Sequence, residues 1–461
     1  MSPRLPPADG PLVAWYGDDF TGSAAVMEVL DFAGFPSVLF LAPPDADALA
    51  RFPGRRGIGV AGDARTRDPA WMDAMLPGIF AALRSIGAPI VHYKACSTMD
   101  SAPHVGSIGR AAEIGLAALG GIAPLVLAAP AIRRWQAFGN LFAASPEGVA
   151  RLDRHPTMRV HPVTPMTEAD VRLHLARQTA LPVGLVDLTA LAAGDGLAAT
   201  RRAAEAGARI VAYDVVDEAT LAAVGETIWR LARESRIFAI GSQGLEYALV
   251  AAWRAAGHAA PAPRRAGPVD RVAIASGSCS PDTARQIAAA ETSGFAAIAV
   301  DAAAAVDERA FAGELDRAGA AALAALAMGK SPLLHTARGP DDPAIARARE
   351  ARARAGLSEA HANRALADGL GRTLAHVVET ARLGRIAIAG GDTSSAGVHA
   401  LGLLALTAEA ALAPGAPLLR GHRADAPAIE LALKGGQMGG DDFFVRIRDG
   451  FPPLPQGKDR T

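Results

Sequence analysis

Short apolar runs alternate with longer amphipathic segments along almost the whole chain, and this alternation predicts an α/β fold. In the first half of the chain the apolar runs predict strands at residues 12–16, 37–41, 57–61, 90–93, 125–128, 183–186, 209–213 and 237–240. The segments between them predict helices at residues 23–32, 70–83, 108–118, 168–178 and 221–233. Strands that alternate with helices in this way are typical of a largely parallel sheet.

A polar, proline-rich stretch at residues 257–270 interrupts the alternation and predicts a linker. After it, strands are predicted at 271–275, 296–300, 332–335, 385–389 and 429–433, and helices at 282–291, 308–325 and 359–381. Since 461 residues exceed one ordinary core, we expect an N-terminal domain at 1–256 and a C-terminal domain at 271–461. Each is expected to be a largely parallel sheet flanked by helices, with an active-site cleft between the two domains.

Composition narrows the classes of function. A net charge of −1 argues against a nucleic-acid partner. Two cysteines, Cys96 and Cys279, provide neither a disulfide framework nor a zinc-binding spacing. The sequence has no apolar run long enough to span a membrane and no targeting pattern, so we expect a cytoplasmic protein without a membrane partner. Only four of the 46 basic residues are lysines, and two of these, Lys94 and Lys434, lie in the motifs described below.

Glycine-rich and polar turns directly follow three predicted strands of the C-terminal domain, at residues 276–283, 390–397 and 434–442. Glycines at a strand end let backbone N–H groups approach a phosphate, and a following helix adds its positive end. Because ligands bind beyond the carboxyl ends of such strands, the three turns predict a nucleotide site, although P-loop and Rossmann fingerprints are absent. The candidate nucleotide-binding residues are Ser276, Ser278, Ser280, Gly390, Gly391, Asp392, Thr393, Lys434, Gly435, Gly436, Gln437 and Gly439.

Two polar clusters follow strands of the N-terminal domain. Asp18 and Asp19 come directly after the first strand, where adjacent carboxylates can hold substrate hydroxyls or a hydrated Mg²⁺ ion. The simpler alternative, a helix cap, accounts for only one polar residue of this cluster. Arg65 and Arg67 follow the third strand and could bind a carboxylate, although arginines in such a loop are often only solvated.

A third cluster, at residues 93–101, follows the fourth strand and offers Lys94, Ser97 and Asp100. This dense polar lining suits a polyhydroxylated ligand. Cys96 has no evident histidine partner, so a structural thiol is favoured over a nucleophile. Further polar turns at 129–134, 161–165 and 241–245 are weaker candidates for ligand contact, because ordinary loop formation explains their polar residues nearly as well.

These motifs resemble those of the four-carbon acid sugar kinases over nearly the whole chain. The matching segments are Asp-Asp-x-Thr-Gly at 18–22, Asp-x-Arg at 63–65, Gly-Ser-x-Gly-Leu at 241–245, Ser-Gly-Ser-x-Ser at 276–280, Gly-Gly-Asp-Thr at 390–393 and a Lys-x-Gly-Gly type turn at 434–439. The resemblance implies that Asp18, Asp19, Arg65 and the 94–100 segment meet a sugar acid. It also implies that the C-terminal turns meet ATP.

One segment departs from the family pattern. Family members carry Lys-x-Asp-Ser-Thr-Leu-Arg-Gly-Asn after the fourth strand, whereas residues 94–102 are Lys-Ala-Cys-Ser-Thr-Met-Asp-Ser-Ala. The acid and the arginine of that pocket are therefore lost or moved, with Asp100 as a candidate replacement. This variant is similar to the branch that acts on oxidised, branched sugar acids such as 3-oxo-isoapionate.

The resemblance implies an ATP- and Mg²⁺-dependent kinase of carbohydrate catabolism that phosphorylates a primary hydroxyl, at C4, of a short 3-oxo sugar acid such as 3-oxo-isoapionate or 3-oxo-tetronate. Asp18 or Asp19 is then expected to accept the hydroxyl proton, and Lys434 to offset charge on the transferred group. Arg65 or Arg67 is expected to anchor the substrate carboxylate. The alternatives are a D-threonate or D-erythronate kinase, a ligase that forms an acyl phosphate, and a non-catalytic binding protein. The metal ligands are not predicted, and a homodimer is expected only as a general prior.

Overall fold

The computed structural model describes residues 5–145, 147–262, 264–413, 415–424, 426–436 and 438–450. The chain divides into two compact units, Met1–Pro261 and Ala262–Thr461, and this division falls within the stretch predicted as a linker. In the part of the chain described, no helix is both long and apolar enough to cross a membrane.

The first unit contains a parallel sheet and a small antiparallel one. Its strands are β1 (Val13–Gly17), β2 (Ser37–Phe40), β3 (Gly57–Ala61), β4 (Ile90–Lys94), β5 (Ala123–Val126), β6 (Arg134–Ala137), β7 (Asn140–Ser145), β8 (Gly148–Arg151), β9 (Val183–Val186), β10 (Ile210–Tyr213) and β11 (Ile237–Gly241). The parallel sheet has the order β2-β3-β1-β4-β11-β5-β10-β9. Its central strands are buried, as expected for strands covered by helices on both faces.

Helices connect these strands and cover the sheet. They are α1 (Phe20–Phe32), α2 (Ala46–Ala50), α3 (Pro69–Ser85), α4 (Ile108–Leu119), α5 (Val171–Leu175), α6 (Leu188–Ala192), α7 (Gly196–Glu205), α8 (Glu218–Glu234) and α9 (Gly244–Ala255). In α3, Met72, Leu76, Phe80 and Leu83 recur at helical spacing and are fully buried in the core. Aspartate side chains cap several of these helices, as Asp19 does for α1.

The antiparallel sheet β6-β7-β8 was not predicted. Phe138 and Gly139 join β6 to β7 with φ of +50° and +80°, the backbone of a tight hairpin turn. Phenylalanine is not a usual residue in such a turn, so the sequence carried no hairpin signal. Buried Asp214, distant in sequence, holds the turn by accepting from Gly139 N at 2.9 Å. The predicted helix at 168–178 is also wrong in extent, because α5 begins only after the cap Asp170.

The second unit is a mixed sheet flanked by helices. Its strands are β12 (Ala273–Ser276), β13 (Phe295–Ala299), β14 (Ser331–His335), β15 (Arg385–Ala389), β16 (Leu403–Ala413), β17 (Ala416–Arg423) and β18 (Ile429–Lys434). Its helices are α10 (Pro281–Thr292), α11 (Glu308–Ala327), α12 (Pro343–Ala355), α13 (Glu359–Ala381), α14 (Gly391–Ala400) and α15 (Phe443–Asp449). The strand order is β13-β14-β12-β15-β18-β17-β16.

The predicted α/β class is confirmed in both units, and in the second the five neighbouring strands β13, β14, β12, β15 and β18 pair in parallel. The antiparallel hairpin β16-β17 was missed. β16 is composed largely of leucine and alanine, which favour a helix by local propensity, so pairing with β17 overrides the local preference. The important consequence of the strand order is that β12, β15 and β18 are direct neighbours.

Candidate functional site

The three predicted turns of the second unit meet at one edge of its sheet. Ser276 at the end of β12 pairs with Ala389 of β15, which in turn pairs with Lys434 of β18. Backbone hydrogen bonds continue beyond the strands, from Gly277 N to Ala389 O at 3.0 Å and from Gly390 N to Lys434 O at 3.0 Å. The structure therefore brings the three candidate segments together, as the rule for parallel strand ends leads one to expect.

Glycine is required where these turns approach one another. A Cβ atom on Gly277 would overlap Thr393 Oγ1, and one on Gly436 would lie 2.8 Å from Ser278 Oγ. Gly390 has a φ of +113°, which side chains other than glycine rarely adopt. Helix α14 begins immediately afterwards, with Gly391 and Asp392 exposed in its first turn. Its first backbone N–H groups have no acceptor within the helix and can therefore bind an anion.

Lys434 is the buried cation of this edge, with a relative exposure of 1%. Its Nζ donates to Thr283 Oγ1 at 3.0 Å and to Gly436 O at 3.3 Å, and it lies 5.5 Å from the centre of the Phe444 ring. Among the residues that the structure describes, no carboxylate forms an ion pair with it. Burial lowers the pKa of Lys434 to about 8, with a smaller opposing effect of Asp282. Near neutral pH the ammonium is thus available to a ligand with negative charge.

The hydroxyl groups of the first turn form a network around the same lysine. Ser280 caps α10 by accepting from Thr283 N at 3.1 Å, and it donates to Gly436 O. Thr283 Oγ1 donates to Ser278 Oγ at 3.0 Å. Ser276 Oγ is buried and has no hydrogen-bond partner among the described residues. Thr283 was not among the candidate residues, and its position three residues after the cap was the available signal.

The remaining candidates lie in the loop after β18. Gly435 is half-buried, and Gly439 has a φ of +81° with no room for a Cβ beside the Phe443 ring. Gln286 Nε2 fixes the loop by donating to backbone oxygens, of which the nearest is Met438 O at 2.9 Å. Gln437, also a candidate, lies outside the described residues.

A cavity of about 240 Å³ adjoins the first turn. Its lining includes Gly277, Cys279 and Thr336, from the segments that follow β12 and β14. Residues of α12 and α13 add apolar and polar side chains, including those of Ala344, Ala348, Arg349, Asn363 and Leu366. Such a mixture of apolar surface with a few polar groups is typical of a site for a small organic ligand.

In the first unit, Asp18, Asp19 and Arg65 form one cluster at the carboxyl edge of the parallel sheet. Arg65 Nη2 lies 2.6 Å from both Asp18 Oδ1 and Asp19 Oδ1, and Arg65 Nε donates to Asp18 Oδ2 at 3.2 Å. Backbone bonds join the same segments, from Asp18 N to Lys94 O at 2.9 Å and from Arg65 N to Asp18 O at 2.9 Å. The three predicted clusters thus converge on the ends of β1, β3 and β4.

The two aspartates differ in their access to solvent. The Asp18 side chain is fully buried, whereas that of Asp19 is 28% exposed. Burial raises the pKa of Asp18, although Arg65 opposes the shift. Burial would lower the pKa of Arg65, but Asp18, Cys96 and Asp19 raise it well above its usual value. Asp18 is therefore paired with Arg65 away from solvent, and Asp19 is the more accessible carboxylate of the two.

Lys94 is buried beside Asp19, and its Nζ donates to Ala95 O at 2.8 Å. A Cβ on Gly22 would lie 2.6 Å from Lys94 Nζ and would also overlap Asp19 Oδ1, so the glycine allows these groups to come close. Ser97 is half-buried in the loop that follows β4.

Two other predicted residues have partners of their own. Asp100 accepts from Thr164 Oγ1 and lies 3.7 Å from His161 Nδ1, which ties it to the 161–165 turn. Sequence reasoning did not connect these two segments. Arg67 pairs with Asp63 and lies over the Trp71 ring at 5.4 Å. In the described part of the chain, Arg67 forms no ion pair with Asp18 or Asp19.

Two family models match the chain. Residues 13–249 match the sugar-binding N-terminal domain, and residues 273–444 match the nucleotide-binding C-terminal domain. The chain is 46% identical to a 3-oxo-isoapionate kinase of Paraburkholderia graminis, over 96% of this chain and 95% of that protein. It is 32% identical to a 3-oxo-tetronate kinase of Methylobacterium radiotolerans, over 94% of this chain and 97% of that protein.

A solved structure from Haemophilus influenzae, of a family described as a domain of unknown function, has a similar fold. It matches with a TM-score of 0.73 and 23% identity, over 94% of this chain and 98% of the other. At this level of identity the likeness concerns the fold alone.

Proposed function

Since the chain belongs to the four-carbon acid sugar kinase family, we propose that it phosphorylates a branched 3-oxo sugar acid, 3-oxo-isoapionate, at the C4 hydroxyl. It is an ATP-dependent sugar-acid kinase, and its curated relatives are named as kinases of 3-oxo-isoapionate and 3-oxo-tetronate. The observation that carries the choice of substrate is the 46% identity to a 3-oxo-isoapionate kinase over almost the full length, against 32% to a 3-oxo-tetronate kinase. The cysteine at position 96, where the family pattern has aspartate, supports the same choice.

ATP would bind at the second unit. Phosphoryl transfer is catalysed chiefly by positioning and by stabilisation of charge, and the edge formed by β12, β15 and β18 offers both. The first N–H groups of α14 would bind phosphate oxygens, and the Lys434 ammonium would offset the charge of the transferred group. The 240 Å³ cavity beside Gly277 would hold the base and ribose.

The sugar acid would bind at the first unit. Asp19 would accept the proton of the attacking hydroxyl, because its carboxylate is the more accessible of the pair. Asp18 and Arg65 would hold Asp19 in place through the contacts at 2.6 Å. The hydroxyl oxygen forms a new bond to the γ-phosphorus, the bond from phosphorus to the bridging oxygen of ADP breaks, and the proton passes to Asp19.

Mg²⁺ would accompany ATP and neutralise charge on the phosphates. In the described residues no group of three or more acidic, histidine or cysteine side chains is arranged for a metal ion. A Mg²⁺ ion that accompanies a nucleotide is generally held by the phosphates and water together with one or two protein carboxylates. Asp392 is the side chain we assign to it, because it is exposed in the first turn of α14.

The test is ADP release with Mg²⁺ against a panel of acids: 3-oxo-isoapionate, the 3-oxo-tetronates, D- and L-threonate and D-erythronate. We expect 3-oxo-isoapionate to have the highest kcat/KM. A higher kcat/KM for threonate or erythronate would overturn the proposed substrate but not the assignment of the protein as a sugar-acid kinase. Treatment of the product with hydroxylamine separates the ligase alternative, since acyl phosphates react and C4 phosphate esters do not. ATP binding without turnover of any acid would favour a binding protein.

A further inference from the structure

The arginines first expected to bind the substrate carboxylate are already paired. Arg65 contacts Asp18 and Asp19, and Arg67 contacts Asp63. Each of these guanidinium groups already donates through Nε and Nη2 to a protein carboxylate, so that side of it is closed to a ligand carboxylate. A cation at this edge of the sheet that has no carboxylate partner would bind the proposed sugar acid better.

Arg134 meets this requirement. It lies at the start of β6, in the loop that follows β5, and backbone bonds in both directions between Ala129 and Arg134 close that loop. Its Nη1 donates to the backbone oxygens of Arg133 at 3.0 Å and Ile132 at 3.3 Å. Its Nε is buried and has no hydrogen-bond partner, and among the described residues no carboxylate pairs with this side chain. A buried donor left unpaired is costly, so it points to a missing acceptor.

The surroundings of Arg134 place it near the aspartate cluster. β5 adjoins β11, which adjoins β4, so the loops after β5 and β4 open at the same edge of the sheet. Ala95 N donates to Gly241 O at 2.6 Å, which joins the loop after β4 to the end of β11. Burial and the charge of Arg133 lower the pKa of Arg134, whereas Cys96 raises it, and Cys96 acts in the same direction on Arg65. Cys96 is thus within electrostatic reach of both guanidinium groups.

We propose that Arg134 binds the carboxylate of the sugar acid and so makes the enzyme select acids over neutral sugars. This inference rests on the proposed function. It assigns the substrate carboxylate to a residue of the 129–134 turn, whose polar residues the sequence explains nearly as well by loop formation. Cys96 contributes because it carries no negative carboxylate. An aspartate at this position would place a carboxylate near Arg134 that competes with the substrate. The Cys96 thiol is instead 3.1 Å from Thr98 Oγ1.

The experiment compares Arg134→Gln and Arg134→Lys with the wild type, using two substrates that differ in the carboxylate alone. One is the acid that the wild type turns over best, and the other is the corresponding ketose with hydrogen in place of the carboxylate. For Arg134→Gln we expect the KM for the acid to rise about 10- to 100-fold, the range for a lost hydrogen bond to a charged group. The KM for ATP and the turnover of the ketose should stay unchanged. The KM of Arg134→Lys for the acid should lie between those of the wild type and Arg134→Gln, because lysine keeps the positive charge but lacks the two-pronged donor geometry of arginine.

The matched control is Arg133→Gln, which removes the same charge from the adjacent, exposed residue and should leave the acid-to-ketose ratio unchanged. Cys96→Asp tests the cluster in the opposite sense: it should raise the KM for the acid, and Arg134→Gln should then add little. Equal losses on acid and ketose in Arg134→Gln, or a raised KM for ATP instead, would overturn the assignment. Calorimetric binding of 3-oxo-isoapionate without ATP keeps the test independent of turnover, so failure of the proposed reaction is recognised separately.

Discussion

Lys434 Nζ donates to Thr283 Oγ1 at 3.0 Å, which links the last residue of β18 to the first turn of α10. The contact joins two of the turns proposed to hold ATP. Because Thr283 also donates to Ser278 Oγ, the lysine, the hydroxyl network and the Gly436 carbonyl form one unit around the buried ammonium.

Removal of the Thr283 hydroxyl should therefore disturb the lysine without unfolding the protein. We expect Thr283→Val to lower kcat/KM for ATP about 10- to 100-fold, since a hydrogen bond to a charged group contributes about 1.5–3 kcal/mol. Steady-state kinetics with ATP as the varied substrate would measure this. Thr292→Val in the last turn of the same helix is the control, because within the described ranges its hydroxyl bonds only to Ala289 O. Equal effects of the two replacements would contradict the assigned role.

Lys434→Met should change the stability of the protein and its kinase activity in opposite directions. Since the pKa of Lys434 in the folded protein is about 8, below its ordinary value of 10.5, folding below pH 8 must accommodate a buried ammonium. The contribution of Lys434 to stability should rise with pH between about 8 and 10.5, where the unfolded state binds more protons. We therefore expect Lys434→Met without ATP to have a higher Tm than the wild type at pH 7, with a smaller difference at pH 9.5. Its kinase activity should be lost at both pH values.

The same pKa predicts the pH profile of the wild type. ATP binding that depends on the Lys434 ammonium should weaken as pH rises above about 8. Titration of ATP affinity between pH 6.5 and 9.5 would show the decline, which should be absent in Lys434→Met. A flat wild-type profile over this range would mean that the ammonium does not contact the nucleotide.

The two aspartates of the first unit should respond differently to amide replacement. Asp19→Asn should lower kcat about 10²- to 10⁴-fold with little loss of stability, because it removes a proton acceptor from a partly exposed site. Asp18→Asn should instead destabilise the fold by roughly 1–3 kcal/mol, since it weakens the hydrogen bonds to the half-buried Arg65, which Asp19 still pairs. Thermal unfolding and single-turnover kinetics on both variants distinguish the two roles. The reverse pattern would make Asp18 the base.

The glycine at the start of α14 should be intolerant of a side chain. Gly390→Ala places a Cβ on a backbone with a φ of +113°, which should cost about 1–3 kcal/mol of stability and reduce ATP affinity. Gly384→Ala is the matched control, because φ there is not in the left-handed region and a Cβ would meet no atom within 4 Å. Chemical denaturation would compare the two variants.

The sequence predicted the α/β class and the meeting of the three ATP turns, because parallel strands place their carboxyl ends at one edge. It could not predict the pairing of Arg65 with Asp18 and Asp19, since side chains 47 and 46 residues apart leave no local pattern. For the same reason it favoured Arg65 and Arg67 as carboxylate anchors. The roles of the individual site residues stay predictions.

The hairpin of β6 and β7 shows a second limit of prediction from the sequence. Local rules look for asparagine and glycine in such a turn, whereas Phe138 takes the left-handed backbone here because Asp214 binds the turn from a distant strand end. Both the Arg65 cluster and the β6-β7 hairpin depend on contacts between segments that are distant in sequence. Such contacts cannot be inferred from composition or periodicity.

The loop after β4 is anchored by its backbone on both sides, through Lys94 O to Asp18 N and through Ala95 N to Gly241 O. These bonds are made by main-chain atoms, so they do not depend on the side chains of Asp18, Lys94 and Ala95, whereas Gly241 leaves no room for a Cβ beside Val126 O. The start of the loop is consequently held independently of the side chains at 96 and 100. Such a frame allows divergence: descendants of one ancestral enzyme could acquire new substrates by exchanging two side chains, with no need to rebuild the backbone that presents them.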